Sequence, residues 1–478
     1  DQTALAVALP AIQRELNLSN SLSQWVINAY LLALSAIILL GGKIGDRLGH
    51  KRAFLAGVIV FITASTLAAL AESGAWLITA RAIQGIGAAF MMPSTNALVT
   101  NAFPAQERGK ALGIYIALAT IFLALGPLLG GFLTQVFSWR AVFWINFPIA
   151  LISIILAISS VPTWRRREKL NIDYLGFFIS VIFISGFVLG FMEAPNWGWT
   201  SLPIMGLFLL SIISLITFIG WEKKIPHPLV ELTLFKNLTF TTLFSVLLII
   251  QAVAIVFVFL AIFLQNVLHY SPLMAGLLLL PAMVPIMLMA PVGGHLRDKY
   301  GPTLPMFCGA LLVVLSLIWI AIFSHNRGYA WLFPGLLVYG IGMPLILSGI
   351  MATVMNMVNA QQRGMASAIF NCARQFGNTI GLALLTGLLA SVNKWQLNSF
   401  LHHSPVPLSR LKEQQIDGLL VQSDQAMKAI AHLSLAHIEL LKTAALNAYT
   451  NAFSMTLLAA AILAFLSLFL ILKIPRKQ

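Results

Sequence analysis

The sequence predicts an all-α membrane protein made of two six-helix bundles with two further transmembrane helices inserted between them. Of its 478 residues, 59% are hydrophobic and only 9% are charged, whereas soluble domains carry about 25% charged residues. The apolar residues form runs long enough to cross a bilayer, which takes about 20 residues. Motifs of the first part of the chain also return in the second part, which indicates a duplication.

Thirteen apolar runs are long enough to be complete spans. They lie at 22–40, 53–71, 75–100, 111–137, 141–161, 174–193, 202–221, 239–268, 273–293, 304–323, 331–355, 365–391 and 447–472. The first dozen residues continue a helical pattern, so we expect them to be the outer part of one more helix. The predicted total is fourteen.

Lysines and arginines separate into alternate loops, which sets the orientation. Nineteen of them fall on one side of the membrane and eight on the other. Because positively charged loops stay in the cytoplasm, we expect both termini to lie in the cytoplasm. We expect the protein itself to lie in the cell membrane, the inner membrane of a bacterium. The net charge of +14 is spread over short loops and forms no single basic stripe of the kind that binds nucleic acid.

The internal repeat divides the chain. The segment 42–49 (GKIGDRLG) returns as 294–301 (GHLRDKYG) at an offset of 252, and 107–109 (ERG) returns as 362–364 (QRG) at an offset of 255. Two bundles related by an axis along the membrane normal are a known transporter plan. The predicted units are an N-terminal bundle at 1–161, linkers with two inserted helices at 162–236, and a C-terminal bundle at 237–478.

A long outer loop at 393–446 belongs to the last unit. Its segment 411–445 has apolar residues at helical spacing, which predicts one or two amphipathic helices lying on the outer surface. They either cover the ends of neighbouring spans or form a gate or a site for a partner.

Two ionisable residues of the N-terminal unit are candidates for proton coupling. Asp1 stands about 20 Å below the outer end of its helix at 1.5 Å per residue, and acids inside spans are functional hypotheses by default. Such an acid carries a proton, or it caps an interrupted helix or pairs permanently with an arginine. Arg81 lies inside the fourth span, where Gln84 and Gly85 one turn on leave it room and a hydrogen-bond partner.

Further polar residues within the spans are Gln84, Gln251, Asn371 and Arg374, which line a polar path or hold helices together. In the fifth span, Gly126, Pro127, Gly130 and Gly131 allow close helix packing and a kink. The chain has no phosphate-binding GxxxxGK[ST] loop, no HExxH motif and no spaced Cys/His set. We therefore expect neither ATP hydrolysis nor a metal or other cofactor.

Five segments together resemble the major facilitator superfamily, in its fourteen-helix branch of drug:proton antiporters. The segment 42–52 is similar to the loop motif after the second helix, with an echo at 298–301, and 81–87 is similar to the fourth-helix motif implicated in proton transfer. GPLLGG at 126–131 resembles the fifth-helix antiporter motif. DQT at 1–3 with ALP at 8–10 resembles the first-helix motif, and 139–148 resembles a segment common in the fourteen-helix branch.

The resemblance implies a cytoplasmic gate in which Asp46 and Arg47 form a charge latch with Arg108. The other predicted gate residues are Gly42, Gly49 and Asp298. His50 stands where the motif often has arginine, a departure that weakens the expected latch.

The implied function is a proton-driven antiporter that exports lipophilic drugs or amphiphilic small molecules by alternating access, rather than an enzyme. The alternative is a dedicated exporter of one metabolite, such as a siderophore or a lipid-like product; a membrane-embedded enzyme and a non-transporting sensor are more distant rivals. The expected partners are the substrate, protons and the lipid bilayer, with no nucleic acid, and we expect a monomer.

Overall fold

A computed structural model describes residues 2–16, 18, 20–104, 107–160, 173–226, 228–326, 328–359, 362–403 and 435–474. Within these ranges every regular element is helical. The first seven helices are α1 (Gln2–Glu15), α2 (Asn20–Leu48), α3 (His50–Ala69), α4 (Gly74–Ala102), α5 (Arg108–Val136), α6 (Ala141–Trp144) and α7 (Asn146–Ser160).

Two helices follow before the second bundle, α8 (Tyr174–Trp197) and α9 (Leu202–Glu222). The remaining α-helices are α10 (Leu238–Ala254), α11 (Val256–Asn266), α12 (Pro272–Leu278), α13 (Leu280–Tyr300), α14 (Thr303–Phe323), α15 (Tyr329–Met357), α16 (Arg363–His403) and α17 (Leu435–Ile471). Short 3₁₀ helices lie at Leu232–Lys236 and Ser324–Asn326.

Each predicted run coincides with one helix or with two consecutive helices, so the expected all-α membrane fold is confirmed. Eleven helical stretches of the described chain are long and apolar enough to cross a membrane; the count of fourteen remains a prediction. The run 273–293 is divided between α12 and α13, and Pro281 is the second residue of α13. Proline fits the first turn of a helix because no hydrogen bond is expected from its nitrogen there.

The last two helices extend into the predicted outer loop 393–446. Helix α16 continues to His403 and α17 begins at Leu435, so 435–445 belongs to the last helix, while 404–434 lies outside the described residues. Both extensions pack: Leu397 and Leu441 are buried, and Asn451 donates to Gln396 Oε1 at 2.7 Å. This packing stabilises the two helical extensions.

The duplication is visible in how helices pack within each half. A β-carbon on Gly57 would lie 2.7 Å from the carbonyl oxygen of Gly87, and one on Gly309 would lie 2.6 Å from that of Gly342. Both are closer than real β-carbons approach, so α3–α4 and α14–α15 depend on the missing side chains in the same way. Small residues allow such close approach of helices in membranes.

The outer end of the first half is held by side chains of the segment 139–148. Trp139 is buried and donates from Nε1 to Glu15 Oε2 at 2.8 Å. Arg140 pairs with the same carboxylate and donates to the carbonyl oxygen of Ala71 at 3.0 Å. The segment therefore ties the end of α1 to the turn between α3 and α4.

The inserted pair packs beside the seam between the halves. Helix α8 contacts both α2 and α16, while α9 presents exposed apolar residues such as Leu209 and Ile212, which are 60% and 55% exposed. Such a surface suits lipid and would be unfavourable in water. The pair is therefore placed where it contacts both halves and the bilayer.

Candidate functional site

The turn between α2 and α3 positions the predicted gate motif. Gly49 follows the last residue of α2 with φ of 96°, and Gly301 follows α13 with φ of 82°. These angles lie in the left-handed region that glycine adopts without a steric penalty. The two glycines are 252 residues apart, so the same turn ends both copies of the loop motif.

Asp46 connects the two halves at the cytoplasmic side. Its Oδ1 accepts a hydrogen bond from the backbone N–H of Gly364 at 2.8 Å, and its Oδ2 accepts one from Met365 at 2.7 Å. These amides belong to the first turn of α16, where backbone N–H groups lack helical partners and the helix dipole favours a negative charge. The carboxylate therefore caps a helix of the opposite half.

Close contact of α2 with α16 brings this carboxylate into range. A β-carbon on Gly42 would lie 2.6 Å from the carbonyl oxygen of Gly364, so a larger residue there would separate the helices. His50, which stands where the motif often has arginine, lies with Nε2 3.3 Å from Asp46 Oδ1 and is buried. The histidine thus contributes directly to the contact.

Two arginine–asparagine contacts cross the seam in a symmetric arrangement. Arg108 donates from Nη1 to Asn356 Oδ1 at 3.1 Å, and Arg363 donates from Nη1 to Asn101 Oδ1. The two arginines are 255 residues apart, and so are the two asparagines. Asp46 and Arg108 therefore act through different partners on the opposite half.

The sequence reasoning missed Asn101 and Asn356, the partners of these two arginines. The signal that could have found them is the repeat itself, because both asparagines occupy the second-last position of the helix before an Arg-Gly dipeptide. The predicted gate residue Asp298 pairs with its neighbour Arg297 at 2.9 Å, within its own half. Arg47 lies one residue after Asp46, at the end of α2.

The linker between α9 and α10 also reaches the gate from the side of the first half. Lys43 of α2 is buried and donates to the carbonyl oxygen of Pro228. The N–H of Val230 donates to Glu222 Oε2 at 3.2 Å, which holds the linker against the end of α9.

On its other side the same linker binds the second half. Gln362 donates from Nε2 to Glu231 Oε2, and the N–H of Glu231 lies 3.2 Å from the sulfur of Met365. The linker from the inserted helices thus touches α2 and the start of α16 at once. In this structure the ends of the two halves are joined at the predicted gate by these contacts.

Arg81 is completely buried in the N-terminal bundle. Its Nε donates to the carbonyl oxygen of Val26 at 3.1 Å, and its Nη1 donates to Gln84 Oε1 at 2.5 Å. The guanidinium carbon lies 4.4 Å from the centre of the Tyr30 ring, a geometry in which the ring quadrupole attracts a cation. Asp1, the proposed partner, lies outside the described residues.

The fifth-helix motif packs against α1. A β-carbon on Gly130 would lie 2.7 Å from the α-carbon of Ala4, whereas one on Gly131 would lie 3.7 Å from a methyl of Val7. Gly126 is buried, and Pro127 lies within α5. The motif therefore packs directly against α1, the helix that begins at Gln2.

This contact predicts different outcomes for adjacent glycines. We expect Gly130→Ala to destabilise the protein by about 1–3 kcal/mol because the added methyl overpacks the α1–α5 contact. Gly131→Ala should leave stability unchanged because its methyl meets only ordinary van der Waals contact. Thermal unfolding of both variants in detergent tests this, and equal unfolding temperatures would contradict it.

The other polar candidates lie in three places. Asn371 donates to the carbonyl oxygen of Ser367 at 2.9 Å, and Arg374 donates to the sulfur of Met92 at 3.6 Å across the α4–α16 seam. Gln251 of α10 packs on the other side of α16, where a β-carbon on Gly377 would lie 2.9 Å from that of Gln251. Gln84 belongs instead to the Arg81 site.

Comparison with known proteins matches this chain to one family. The sequence model of the Major Facilitator Superfamily matches residues 1–382. The chain is 32% identical over 413 residues to the multidrug resistance protein Stp of Mycobacterium tuberculosis, covering 86% of this chain and 77% of that protein. It is 31% identical over 398 residues to the tetracenomycin C resistance and export protein of Streptomyces glaucescens, covering 82% and 73%.

Among solved structures, the human organic anion transporter MFSD10 (TETRAN) superposes with a TM-score of 0.58 at 14% identity, covering 97% of this chain and 88% of that one. This likeness concerns the fold. The family comprises transporters rather than enzymes, and the helices described above make the chain a multi-pass membrane protein like its bacterial relatives. From the matched sequence, the paired helical halves and the repeated gate motif, the chain belongs to the Major Facilitator Superfamily.

Proposed function

We propose that this transporter is a proton-coupled antiporter that exports lipophilic drugs or amphiphilic small molecules by alternating access. Relatives named for multidrug resistance and for export support efflux as the direction. The observation that carries proton coupling is Arg81, a fully buried arginine held by Gln84 and by the backbone of α2. Ionisable residues inside spans are costly and mark pathways for substrates or ions.

The proposed cycle begins with a closed cytoplasmic gate, and the contacts of Asp46, Arg108 and Arg363 across the seam support this starting state. A proton from outside then binds Asp1 and neutralises its charge, which changes the proposed coupling of Asp1 with Arg81. Because Ala4 of α1 packs on Gly130 of α5, a shift of α1 is transmitted to α5. Helix α5 in turn touches the other half, since a β-carbon on Gly113 would lie 2.9 Å from the carbonyl carbon of Ala290.

Opening at the cytoplasmic side then requires release of the Asp46 cap and the two arginine–asparagine contacts. The substrate enters from the cytoplasm or the inner leaflet as the proton leaves. Each inward-moving proton contributes about 2.3 kcal/mol per 100 mV of membrane potential, which supplies the direction of export without ATP. We propose that a single chain carries out the cycle.

Proton release in liposomes tests this proposal. With an imposed pH gradient, we expect several unrelated lipophilic compounds to change the lumenal pH, and Asp1→Asn to abolish the response. The panel should contain lipophilic cations, neutral drugs and a siderophore. If no panel compound moves protons while labelled compounds still bind, coupling through Asp1 is wrong.

The same panel separates the second candidate, a dedicated exporter of one metabolite. The name of the Streptomyces glaucescens relative, which specifies a single compound, favours it. A response to one compound alone would support that alternative.

A further inference from the structure

Two carboxyl groups meet where α8 begins and α9 ends, at the predicted cytoplasmic side. Asp173 directly precedes α8, and Glu222 is the last residue of α9. A β-carbon on Gly176 would overlap Asp173 Oδ2 and would lie 2.9 Å from Glu222 Oε1. The two oxygens therefore face the same small space, which a side chain at position 176 would fill.

Asp173 has donors for both of its carboxylate oxygens. The N–H of Gly176 donates to Oδ1 at 3.0 Å, as in a helix N-cap, and Trp221 Nε1 lies 3.1 Å from Oδ1 and 3.0 Å from Oδ2. Asp173 also stands at the N-terminus of α8, where the helix dipole favours a negative charge. Asp173 is therefore the ionised member of the pair.

Glu222 is in the opposite situation. It is only 3% exposed, and its Oε2 accepts a hydrogen bond from the N–H of Val230 at 3.2 Å. No donor among the described residues reaches its buried Oε1. A buried carboxylate with an unpartnered oxygen beside a second carboxylate is unfavourable, and a bound proton both removes the charge and supplies the missing donor. Protonated Glu222 can then donate from Oε1 to Asp173 Oδ2.

The surrounding cations do not replace this proton. Lys43 of α2 attracts the carboxylate of Glu222, but its ammonium donates to the carbonyl oxygen of Pro228. Lys223 and Lys224, which follow Glu222, are exposed. The other charged groups that act on Lys43 are Asp46, Arg47 and Glu231. Lys43 is thus divided among several acids, while Asp173 and Glu222 face each other.

We propose that Asp173 and Glu222 bind one shared proton from the cytoplasm, and that this proton holds the segment 228–236 of the α9–α10 linker on the predicted gate. The site is separate from the proposed coupling of Asp1 with Arg81, since it lies on the inserted helices. The inference goes beyond the proposed transport cycle and does not depend on coupling through Asp1.

The linker connects this proton to both halves. Glu222 Oε2 holds the N–H of Val230, and neighbouring linker residues contact α2 and the residue before α16. Loss of the proton leaves two negative charges side by side, so repulsion from Asp173 pushes Glu222 away from Val230 and loosens the linker. An acidic cytoplasm therefore keeps the gate contacts in place, and an alkaline one weakens them.

Infrared difference spectra of the protein in lipid nanodiscs, recorded between acidic and alkaline buffers without substrate or gradient, test the shared proton. We expect the C=O band of a protonated carboxyl to persist at about pH 6, above the value of about 4.3 at which ordinary glutamates titrate. Glu222→Gln should remove this band, whereas Glu231→Gln, the same change in the linker, should keep it. Asp173→Asn should shift the band to more acidic pH, because the neighbouring charge is lost while an N-cap side chain remains.

Hydrogen–deuterium exchange measures the effect on the linker. Relative to the intrinsic rate at each pH, exchange at 228–236 should rise roughly 2- to 10-fold between about pH 6 and about pH 8, the effect of losing one hydrogen bond. In Glu222→Gln it should stay slow at both pH values, because the amide group donates to Asp173 and its oxygen still accepts from Val230.

The proposal is overturned by a wild-type protein without the band at about pH 6, well above the ordinary range, or by a band that survives in Glu222→Gln. An equal rise of linker exchange in wild type and Glu222→Gln also overturns it. If Glu222→Gln does not fold, an unshifted band in Asp173→Asn has the same meaning. Because neither substrate nor gradient is used, failure of proton coupling in liposomes leaves both readouts unaffected.

Discussion

Arg81→Ala is expected to lower substrate-driven proton release by roughly 10- to 100-fold, the equivalent of losing about 1.5–3 kcal/mol of charge-assisted hydrogen bonding. The variant removes a buried cation and leaves Gln84 Oε1 and the carbonyl oxygen of Val26 without this donor. Arg81→Lys should recover part of the activity, since it restores the charge but not both hydrogen bonds. Lumenal pH in proteoliposomes is the measurement.

A double-mutant comparison tests whether Arg81 acts through Asp1. In an Asp1→Asn background, Arg81→Ala should reduce substrate exchange much less than it does in the wild type. An equal loss in both backgrounds means that the residues are not coupled. Arg140→Ala is the matched control, because this arginine lies at the outer end of the same bundle and bonds Glu15 and Ala71. It should affect thermal stability and leave the proton-to-substrate ratio unchanged.

Asp46→Asn is expected to open the cytoplasmic gate. The carboxylate accepts two hydrogen bonds from the first turn of α16. The amide of asparagine has only one acceptor oxygen and carries no charge. Losing one charge-assisted bond and the favourable interaction with the helix dipole weakens the closed state by about 2 kcal/mol. Such a change shifts the ratio of closed to open states roughly 30-fold, so transport should fall several-fold because the cycle stalls with the gate open.

Hydrogen–deuterium exchange measures this directly. The amides of Gly364 and Met365 should exchange faster in Asp46→Asn than in the wild type, because they lose the acceptor that protects them. Asp298→Asn is the comparison: it makes the same change at the repeated position, where the carboxylate pairs with Arg297 of its own half. If Asp298→Asn accelerates exchange at 364–365 as much as Asp46→Asn does, the cap does not hold the gate.

The seam contacts show how far local patterns reach. The loop motif predicted Asp46 at the gate, but not its partners, since the acceptor and the amide of Gly364 are 318 positions apart in the chain. The Arg108–Asn356 and Arg363–Asn101 contacts follow the repeat, yet an offset of 255 does not indicate that two halves touch at those ends. The backbone contacts of the α9–α10 linker have no sequence motif at all.

Glu193 illustrates the opposite situation. The sequence places this acid near the outer end of its span, where we would expect the side chain to be exposed to water. In the structure Glu193 is only 4% exposed and lines one pocket with Trp25 of α2 and Pro203 of α9. Whether an interfacial acid is solvated or enclosed depends on which helices pack beside it.

The sequence by itself determined the membrane environment, the helical class, the duplication and the positions of the gate and fifth-helix motifs. These properties follow from local composition and periodicity, because each span must satisfy its own backbone hydrogen bonds within the bilayer. The tertiary structure alone decided the partners of Asp46, Arg108 and Arg81 and the enclosure of Glu193. Those contacts join helices far apart in the chain, and close packing at small residues, which no local pattern encodes, sets their geometry.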